Sequence, residues 1–288
     1  MKAAAFDYVR AVDVEEVCRL LADAGDQERK IIAGGQTLVP LMAMRMARPD
    51  MLIDINDVDG LSGVEDKGDY ISIGGCTRQR LLERSEIVSD RLPLLAKAVR
   101  NVGHIQTRNR GTIGGSIVHG DPSAEIPMAA LALEGTIVLR SVSGKMEVQL
   151  EGFFEAAMMT AIEPDQILTE VHIPVWKGQR IGTGFHETSS RQGDFAIVAA
   201  AAQVELSGDG AIVRAAVTAG GVAPSPVKLR GVEKALIGYQ AENFAIALDR
   251  LDDEIDPDTD VHATAEYRSR VAKRLVARAV ADAILEAG

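Results

Sequence analysis

The first sixty residues combine short apolar runs with amphipathic segments, a pattern that predicts a small α/β lobe. Apolar residues recur at helical spacing directly after Asp13, which can cap a helix N-terminus. Apolar runs at 30–33 and 51–55 predict two short buried strands. Between them, residues 37–47 predict a second helix with Pro40 in its first turn.

Strand and helix patterns continue through the rest of the chain. The predicted elements are a strand at 70–73, a helix at 79–92, a hairpin at 136–150 turned at Ser143 and Gly144, alternating strands at 196–206 and 211–219, and a C-terminal helix around 267–284. We expect an α+β fold with three units: an α/β lobe at 1–60, a second lobe at 61–178 and a C-terminal α+β domain at 179–288.

Charge and cysteine usage exclude several classes of function. The formal net charge is −11 and aromatic residues make up only 4% of the chain, so a nucleic-acid backbone would meet repulsion and few stacking rings. Two cysteines, Cys18 and Cys76, are too few for a four-thiolate iron–sulfur or zinc site. Redox chemistry on this chain would therefore need an organic cofactor, and we interpret both cysteines as core residues.

The N-terminal sequence lacks the apolar stretch of a secretory signal peptide. No window approaches about 18 uninterrupted apolar residues, the length of a membrane span. We therefore expect a soluble, cytoplasmic protein, and the low cysteine content is compatible with a reducing compartment.

Two glycine-rich stretches give the first indication of a ligand. The first, AGGQTLVP at 33–40, follows a predicted strand and opens a helix, so its backbone N–H groups can face an anion. The second, RNRGTIGGSIVHGDPSAE at 108–125, overlaps a basic island, because residues 91–120 contain five Lys or Arg and no Asp or Glu. Exposed N–H groups, hydroxyls and arginines together suit a phosphate. Two such sites on two lobes predict one dinucleotide bound between them.

Neither stretch is specific by itself. A glycine pair is more often a tight turn or a bulge, and neither stretch follows G-x-G-x-x-G or the Walker pattern, so an ordinary Rossmann or P-loop site is not indicated. The histidines show no metal-ligand spacing. His104 and His119 flank the second stretch, where a structural hydrogen bond is favoured over a cofactor contact.

At these positions the sequence resembles a known family. The stretches AGGQTLVP at 33–40, RNRGTIGGSIVHGDPSAEIP at 108–127 and SRQGDFAIVAAAA at 190–202 are similar to the FAD-binding medium subunits of the molybdenum hydroxylases, which include carbon monoxide dehydrogenase, xanthine dehydrogenase and quinoline oxidoreductase. The segment 264–280 resembles their final helix. The resemblance implies a two-lobed FAD-binding domain of the PCMH, vanillyl-alcohol-oxidase-like type, followed by a C-terminal α+β domain.

The resemblance also implies which residues bind FAD. Two loops would hold its pyrophosphate, and further acidic and apolar positions would lie near the ribityl chain and the flavin ring. These residues are Ile32, Ala33, Gly34, Gly35, Gln36 and Thr37 in the first loop, Thr112, Ile113, Gly114 and Gly115 in the second, and Asp121, Glu125 and Leu168 beyond them. Phe195 occupies a position that is often aromatic beside the flavin pocket. Neither a catalytic residue nor a metal ligand is expected on this chain.

One segment departs from the family pattern. Several members carry a lysine close to the flavin ring where this chain has His186 and Glu187. A cation there would stabilise the reduced, anionic flavin, so its loss predicts a lower reduction potential or a substitute group. Gln36 stands where carbon monoxide dehydrogenases tend to have histidine, a smaller difference from that member.

By this resemblance the chain is the flavoprotein subunit of a multi-subunit molybdenum hydroxylase. A large subunit would bind molybdopterin and hydroxylate the substrate, a small subunit would carry two [2Fe–2S] clusters, and FAD on this chain would pass their electrons to an external acceptor. A dimer of heterotrimers is implied, with an N-heterocycle preferred over carbon monoxide as substrate and an acceptor other than NAD favoured. Two alternatives stay open: a stand-alone FAD-dependent oxidoreductase and a non-catalytic anion-binding scaffold.

Overall fold

The computed structural model describes residues 2–239 and 244–288. The elements of the N-terminal part are β1 (Asp7–Arg10), α1 (Val14–Ala22), β2 (Arg29–Ile32), α2 (Leu38–Ala43) and β3 (Met51–Asp54). The three strands form a parallel sheet in the order β1–β3–β2. Asp13 caps α1 as predicted, because its carboxylate accepts a 2.6 Å hydrogen bond from the Glu16 amide. The two predicted helices and the two predicted strands are confirmed, and β1 lies outside the predicted elements.

The middle of the chain forms an antiparallel sheet covered by helices. Its elements are β4 (Val64–Asp66), β5 (Tyr70–Gly74), α3 (Gln79–Arg84), α4 (Glu86–Arg91), α5 (Pro93–Asn101), α6 (Ile105–Arg110), α7 (Ile113–His119), α8 (Glu125–Ala132), β6 (Thr136–Ser141), β7 (Gly144–Gln149), β8 (Phe154–Ala156), β9 (Met159–Thr160) and β10 (Ile167–Pro174). Five strands pair in the order β4–β5–β10–β6–β7, and β8 pairs with β9. Every residue of α8 is buried, which makes this helix part of the core.

The predictions for this part agree in outline and differ in detail. The helix predicted at 79–92 is two helices, because Ser85 ends α3 and its hydroxyl caps α4 by accepting a hydrogen bond from the Val88 amide. The predicted hairpin is confirmed, and its two-residue turn lies one position earlier, at Val142 and Ser143. Helices α5 to α8 and strand β10 lie outside the predicted elements.

The C-terminal part is a second antiparallel sheet with a long helix on one face. Its elements are β11 (Ile181–Ser189), β12 (Ala196–Leu206), β13 (Ile212–Gly220), β14 (Val227–Lys228), α9 (Arg230–Leu236), a 3-10 helix (Phe244–Asp253) and α10 (Ala265–Ala287). The strand order is β11–β12–β13–β14. The predicted strand pair is β12 and β13 and the predicted terminal helix is α10, whereas β11 lies outside the predictions.

Small residues allow α10 to lie directly on this sheet. A Cβ atom at Gly184 would overlap the carbonyl oxygen of Ala279, and one at Gly182 would overlap that of Ala283. The neighbouring strand β12 adds buried alanines, and the contact is therefore made largely by backbone and methyl groups. Close packing of this kind fixes β11, the strand that carries His186 and Glu187.

Helices combined with antiparallel sheets confirm the α+β class. Strand β10 ends at Pro174 and β11 begins at Ile181, while the unit boundaries at 60/61 and 178/179 stay predictions. Among the described residues, none of the helices combines the length and the apolar character needed to cross a membrane.

Candidate functional site

A cavity of about 690 Å³ lies where the loop after β2, the start of α7 and the loop before β12 meet. Most of the predicted cofactor residues line it: Ala33, Gly34, Gly35, Gln36, Thr37, Thr112, Gly114, Gly115, Asp121, Glu125 and Leu168. Ile32 and Ile113 do not, since Ile113 is fully buried in the core and the Ile32 side chain packs against Gly35. A volume of this size is typical of a small-molecule or cofactor site. Binding of a cofactor by these residues stays a prediction.

The loop after β2 presents a row of amides to the cavity. The N–H groups of Gly34, Gly35, Gln36 and Thr37 donate no hydrogen bond to the described part of the chain. Gly35 adopts φ 69°, a left-handed conformation that favours glycine and is typical of backbone nests that bind anions. Because backbone N–H groups that lack an acceptor are costly away from water, this row favours an anionic ligand with several oxygens.

In the second glycine stretch the backbone N–H groups are not free to bind an anion, which differs from the prediction. It forms the start of α7, and its amides are already paired: Ile113 donates to Thr77 at 3.1 Å, Gly114 to Gly75 at 2.9 Å and Gly115 to the Thr112 hydroxyl at 3.1 Å. The expectation of free amides in this stretch is therefore wrong. Its glycines serve close packing, since a Cβ atom at Gly114 would lie 2.6 Å from the Gly75 oxygen.

The basic island does not supply the cavity with cations. Arg91, Lys97 and Arg108 form ion pairs with Asp66, Glu286 and Glu83 at 3.1, 2.9 and 2.9 Å, so carboxylates from distant segments neutralise them. The lysine and arginine side chains that line the cavity in the described chain are Arg29 and Lys30, both on β2. The expectation that cations of the basic island lie beside the anion is therefore wrong for Arg91, Lys97 and Arg108, none of which lines this cavity. The groups of the lining that can bind an anion are the amide row and the side chains of Arg29 and Lys30.

Two acidic residues of the prediction, Asp121 and Glu125, also line the cavity. Burial, together with the smaller effect of the nearby Glu187 and Asp121 carboxylates, raises the pKa of Glu125, at the first turn of α8, to about 8. Asp121 accepts a 2.8 Å hydrogen bond from the Ser123 amide, which leaves its second oxygen for other partners. Leu168 is buried, whereas Phe195 is 70% exposed at the cavity lining.

His186 and Glu187 point in different directions from β11. The His186 Nε2 atom lies 2.7 Å from Asp282 on α10. Glu187 lines a smaller cavity of about 210 Å³ that adjoins the first, because Gly103 lines both. Its Oε2 atom is buried and has no hydrogen-bond partner in the described structure, and burial raises its pKa to about 7. Of the two residues predicted to stand in the segment where several family members carry a lysine, Glu187 is the one that lines this cavity.

The remaining predictions concern histidine and cysteine. His119 lines the larger cavity and His104 the smaller one. Neither ring makes a hydrogen bond to another described residue, so the structural hydrogen bond favoured for them is not found. Cys18 and Cys76 are buried as predicted, and burial raises the pKa of the Cys76 thiol to about 11, which makes it a poor nucleophile.

The sequence reasoning misses Gln79 at the start of α3. This residue lines the cavity with only 5% of its surface exposed, and its Oε1 atom has no partner among the described residues. The backbone N–H group of Gln79 donates a 2.9 Å hydrogen bond to the Gly111 carbonyl oxygen, which holds α3 against the second glycine stretch. A lone glutamine carries no motif, so only the fold could reveal its position.

Comparison with known proteins gives the family. Residues 4–176 match the family model described as the FAD binding domain in molybdopterin dehydrogenase. Residues 183–283 match the model of the CO dehydrogenase flavoprotein C-terminal domain. The chain therefore belongs to the family of FAD-binding medium subunits of the molybdenum hydroxylases, which are oxidoreductases, and the expected family and fold are confirmed.

The similarity to known proteins extends over nearly the whole chain. The 6-hydroxypseudooxynicotine dehydrogenase complex subunit alpha of Paenarthrobacter nicotinovorans is 39% identical over 99% of this chain and 96% of its own length. The nicotine 6-hydroxylase medium subunit of the same organism is 35% identical over 98% and 99%. Carbon monoxide dehydrogenase from Hydrogenophaga pseudoflava, in a form that lacks the Mo-pyranopterin moiety of its cofactor, superposes with a TM-score of 0.95 at 33% identity and 99% coverage of both chains.

Proposed function

We propose that this chain is the FAD-binding electron-transfer subunit of a molybdenum hydroxylase, with FAD in the 690 Å³ cavity. The observation that carries the proposal is the row of unpaired backbone N–H groups from Gly34 to Thr37 in the cavity lining. The same lining includes the apolar side chains of Leu168 and Phe195. The amides would bind the diphosphate, and the apolar Leu168 side chain would contact the ring system. FAD, when bound, supplies the capacity to exchange electrons singly and in pairs.

The same assignment gives Glu125 a place near the ribityl chain, as the family resemblance implies. A carboxyl group with a pKa of about 8 is largely protonated at neutral pH and can donate a hydrogen bond to a hydroxyl or carbonyl oxygen. Thr112 and Ser116 bring hydroxyl groups to the same lining. The second stretch would thus contribute hydroxyl groups and part of the cavity wall, because its backbone N–H groups donate hydrogen bonds within the protein.

We further propose that the substrate is oxidised on a large molybdopterin subunit and that a small subunit with two [2Fe–2S] clusters delivers the electrons. Two buried cysteines give this chain no cluster of its own, so the electron donor has to be another subunit. The names of two relatives, a complex subunit alpha and a medium subunit, agree with such an assembly. A dimer of heterotrimers and a cytoplasmic location stay predictions.

For the substrate we propose an N-heterocycle. The two relatives reported above are named for 6-hydroxypseudooxynicotine and nicotine, which both contain a pyridine ring, and they are 39% and 35% identical to this chain. The carbon monoxide dehydrogenase neighbour is 33% identical. In this proposal the substrate binds on the partner subunit. The medium subunit therefore indicates the substrate only through the names of its relatives.

The proposal is tested on the complex purified under native conditions. Denaturation should release FAD at about one per chain, with molybdenum and iron in the co-purifying subunits. Anaerobic addition of nicotine or a hydroxypyridine should bleach the flavin absorbance, and carbon monoxide should not. FAD without any metal-bearing partner would instead favour a stand-alone flavoenzyme, and no flavin in the intact complex would favour the anion-binding scaffold.

A further inference from the structure

Gln79 is a buried polar side chain at the cavity that makes no hydrogen bond to the described residues. The residue is 5% exposed, its Oε1 atom is buried without a partner, and its Nε2 atom donates to no described residue. A primary amide can donate two hydrogen bonds and accept two. Exchanging the oxygen and nitrogen positions of the amide would leave the same deficit, because neither atom has a protein partner. Because Gln79 lines the cavity, a molecule bound there can supply the missing partner.

The surroundings of Gln79 indicate what that partner is. A Cβ atom at Gly111 would lie 2.5 Å from the Gln79 Oε1 atom, so the side-chain amide of Gln79 packs against the Gly111 backbone. A Cβ atom at Gly34 would lie 2.9 Å from the Gly111 Cα atom, so the Gly34 backbone also contacts Gly111. The Gln79 side chain and Gly34, the first residue of the amide row, therefore both contact Gly111, and all three residues line the cavity.

We propose that Gln79 is a further cofactor-binding residue, whose side-chain NH₂ group donates a hydrogen bond to the diphosphate held by the amides of Gly34 to Thr37. The inference rests on the proposed function, since it takes FAD as the ligand. The chemical reason is that a neutral donor adds a hydrogen bond to an anion in a cavity that no lysine or arginine of the basic island lines. The carboxylate of a glutamate at this position would repel the same group.

The test is the affinity of the full-length apoprotein for FAD, measured by flavin fluorescence quenching, in wild type and in Gln79→Met. Methionine keeps the length of the side chain and removes both polar atoms. A hydrogen bond to a charged group is expected to contribute roughly tenfold to a hundredfold in affinity, so the Kd should rise by that factor. The melting temperature of the apoprotein should stay equal or increase, because an unpaired polar group is removed, whereas a merely structural role for the amide predicts a decrease.

Gln203 on β12 provides a matched control. It is also a buried glutamine, at 3% exposure, with an Oε1 atom that has no partner among the described residues, but it does not line the cavity. Gln203→Met should leave the FAD affinity at the wild-type value. If Gln79→Met does not fold, Gln79→Glu serves in its place, with a larger expected loss of affinity because it adds a negative charge beside the diphosphate.

ADP is a second probe, because it has the diphosphate and lacks the flavin. Gln79→Met should weaken ADP and FAD by a similar factor. An unchanged FAD affinity, or a loss for FAD alone, would overturn the assignment of Gln79 to the diphosphate. A wild-type protein that binds neither ligand would contradict the proposed function itself, so the two failures are distinguishable.

Discussion

The carbonyl oxygen of Arg110 lies in the space that a side chain at Gly34 would need: a Cβ atom there would be 2.5 Å from it. The first glycine loop and the second stretch therefore touch backbone to backbone. Arg78 reinforces the contact, because its guanidinium donates to the same Arg110 oxygen and, at 2.6 Å, to Asn56 near the end of β3. The two sides of the cavity are thus joined before any ligand is bound.

This contact predicts that Gly34→Ala separates the two loops. Overpacking of this kind costs about 1–3 kcal/mol in the free energy of unfolding, and the amide row would also shift away from its ligand. We expect a lower melting temperature of the apoprotein and less FAD bound per chain, measured by calorimetry and by absorbance. Gly208→Ala is the control, since a Cβ atom at Gly208 meets nothing within 4 Å. Equal stability of the two variants would contradict the prediction.

Thr112 allows a separate test of the second stretch. Its hydroxyl caps α7 by accepting from the Gly115 amide at 3.1 Å, and the residue is 2% exposed at the cavity. Thr112→Val should cost about 1 kcal/mol of stability in urea unfolding, typical of a lost cap, and should weaken FAD binding. Thr264→Val removes the matching cap of α10, where the hydroxyl accepts from the Tyr267 amide at 3.2 Å. That variant should lose stability and keep its FAD affinity; a loss of affinity in both would show that the effect is global.

The elements that could be predicted from the sequence are those with local signals. Helix α1 has a capping aspartate and a clear apolar face, and the β12–β13 pair is marked by its Ser-Gly-Asp-Gly turn. Pro93 opens α5 and Thr112 caps α7, signals that the predictions did not use. Helices α6 and α8 lack such signals, because α6 has no capping side chain and α8 is buried on all sides and shows no amphipathic period. Their positions depend on tertiary packing that a single sequence does not display.

The candidate site was predictable to a similar degree. Gly34 and Gly35 stand out as a glycine pair after a strand, and the family resemblance identifies the second stretch. The hydrogen-bonding state of the amides was not predictable, since it depends on Thr77 and Gly75 approaching Ile113 and Gly114 in space. The prediction that the basic island faces the anion is wrong for a related reason. The acidic partners of its residues lie elsewhere in the chain, as in the ion pair of Lys97 with Glu286.

The raised pKa of Glu125 predicts a pH dependence of stability. Its ordinary value is 4.5 and burial raises the folded-state pKa to about 8. Between these values the folded protein holds a proton that the unfolded chain has released, so the free energy of unfolding falls as pH rises, by at most about 1.4 kcal/mol per pH unit. Glu125→Gln should flatten this slope in denaturation of the apoprotein between pH 5 and 8.

Glu134 is a suitable control for that measurement. Its hydrogen bond to Lys228, at 2.9 Å, lowers its pKa, so its contribution to stability is present above its ordinary value and lost only as the solution becomes acidic. Glu134→Gln should therefore leave the slope between pH 5 and 8 unchanged. A slope that persists in Glu125→Gln would assign the pH dependence to another group, with Glu187 the next candidate because burial raises its pKa to about 7.

Glu187 also predicts a change in the flavin potential. A carboxylate beside the adjoining cavity disfavours added electrons on a nearby flavin, so Glu187→Gln should raise the midpoint potential by on the order of 10–30 mV at pH 8. Because the pKa is about 7, the difference from wild type should shrink at pH 6, where the acid is mostly protonated. Spectroelectrochemical titration at the two pH values measures this. His186→Gln is the control, since His186 pairs with Asp282 on α10, and an equal shift there would mean that charge at Glu187 is not the cause.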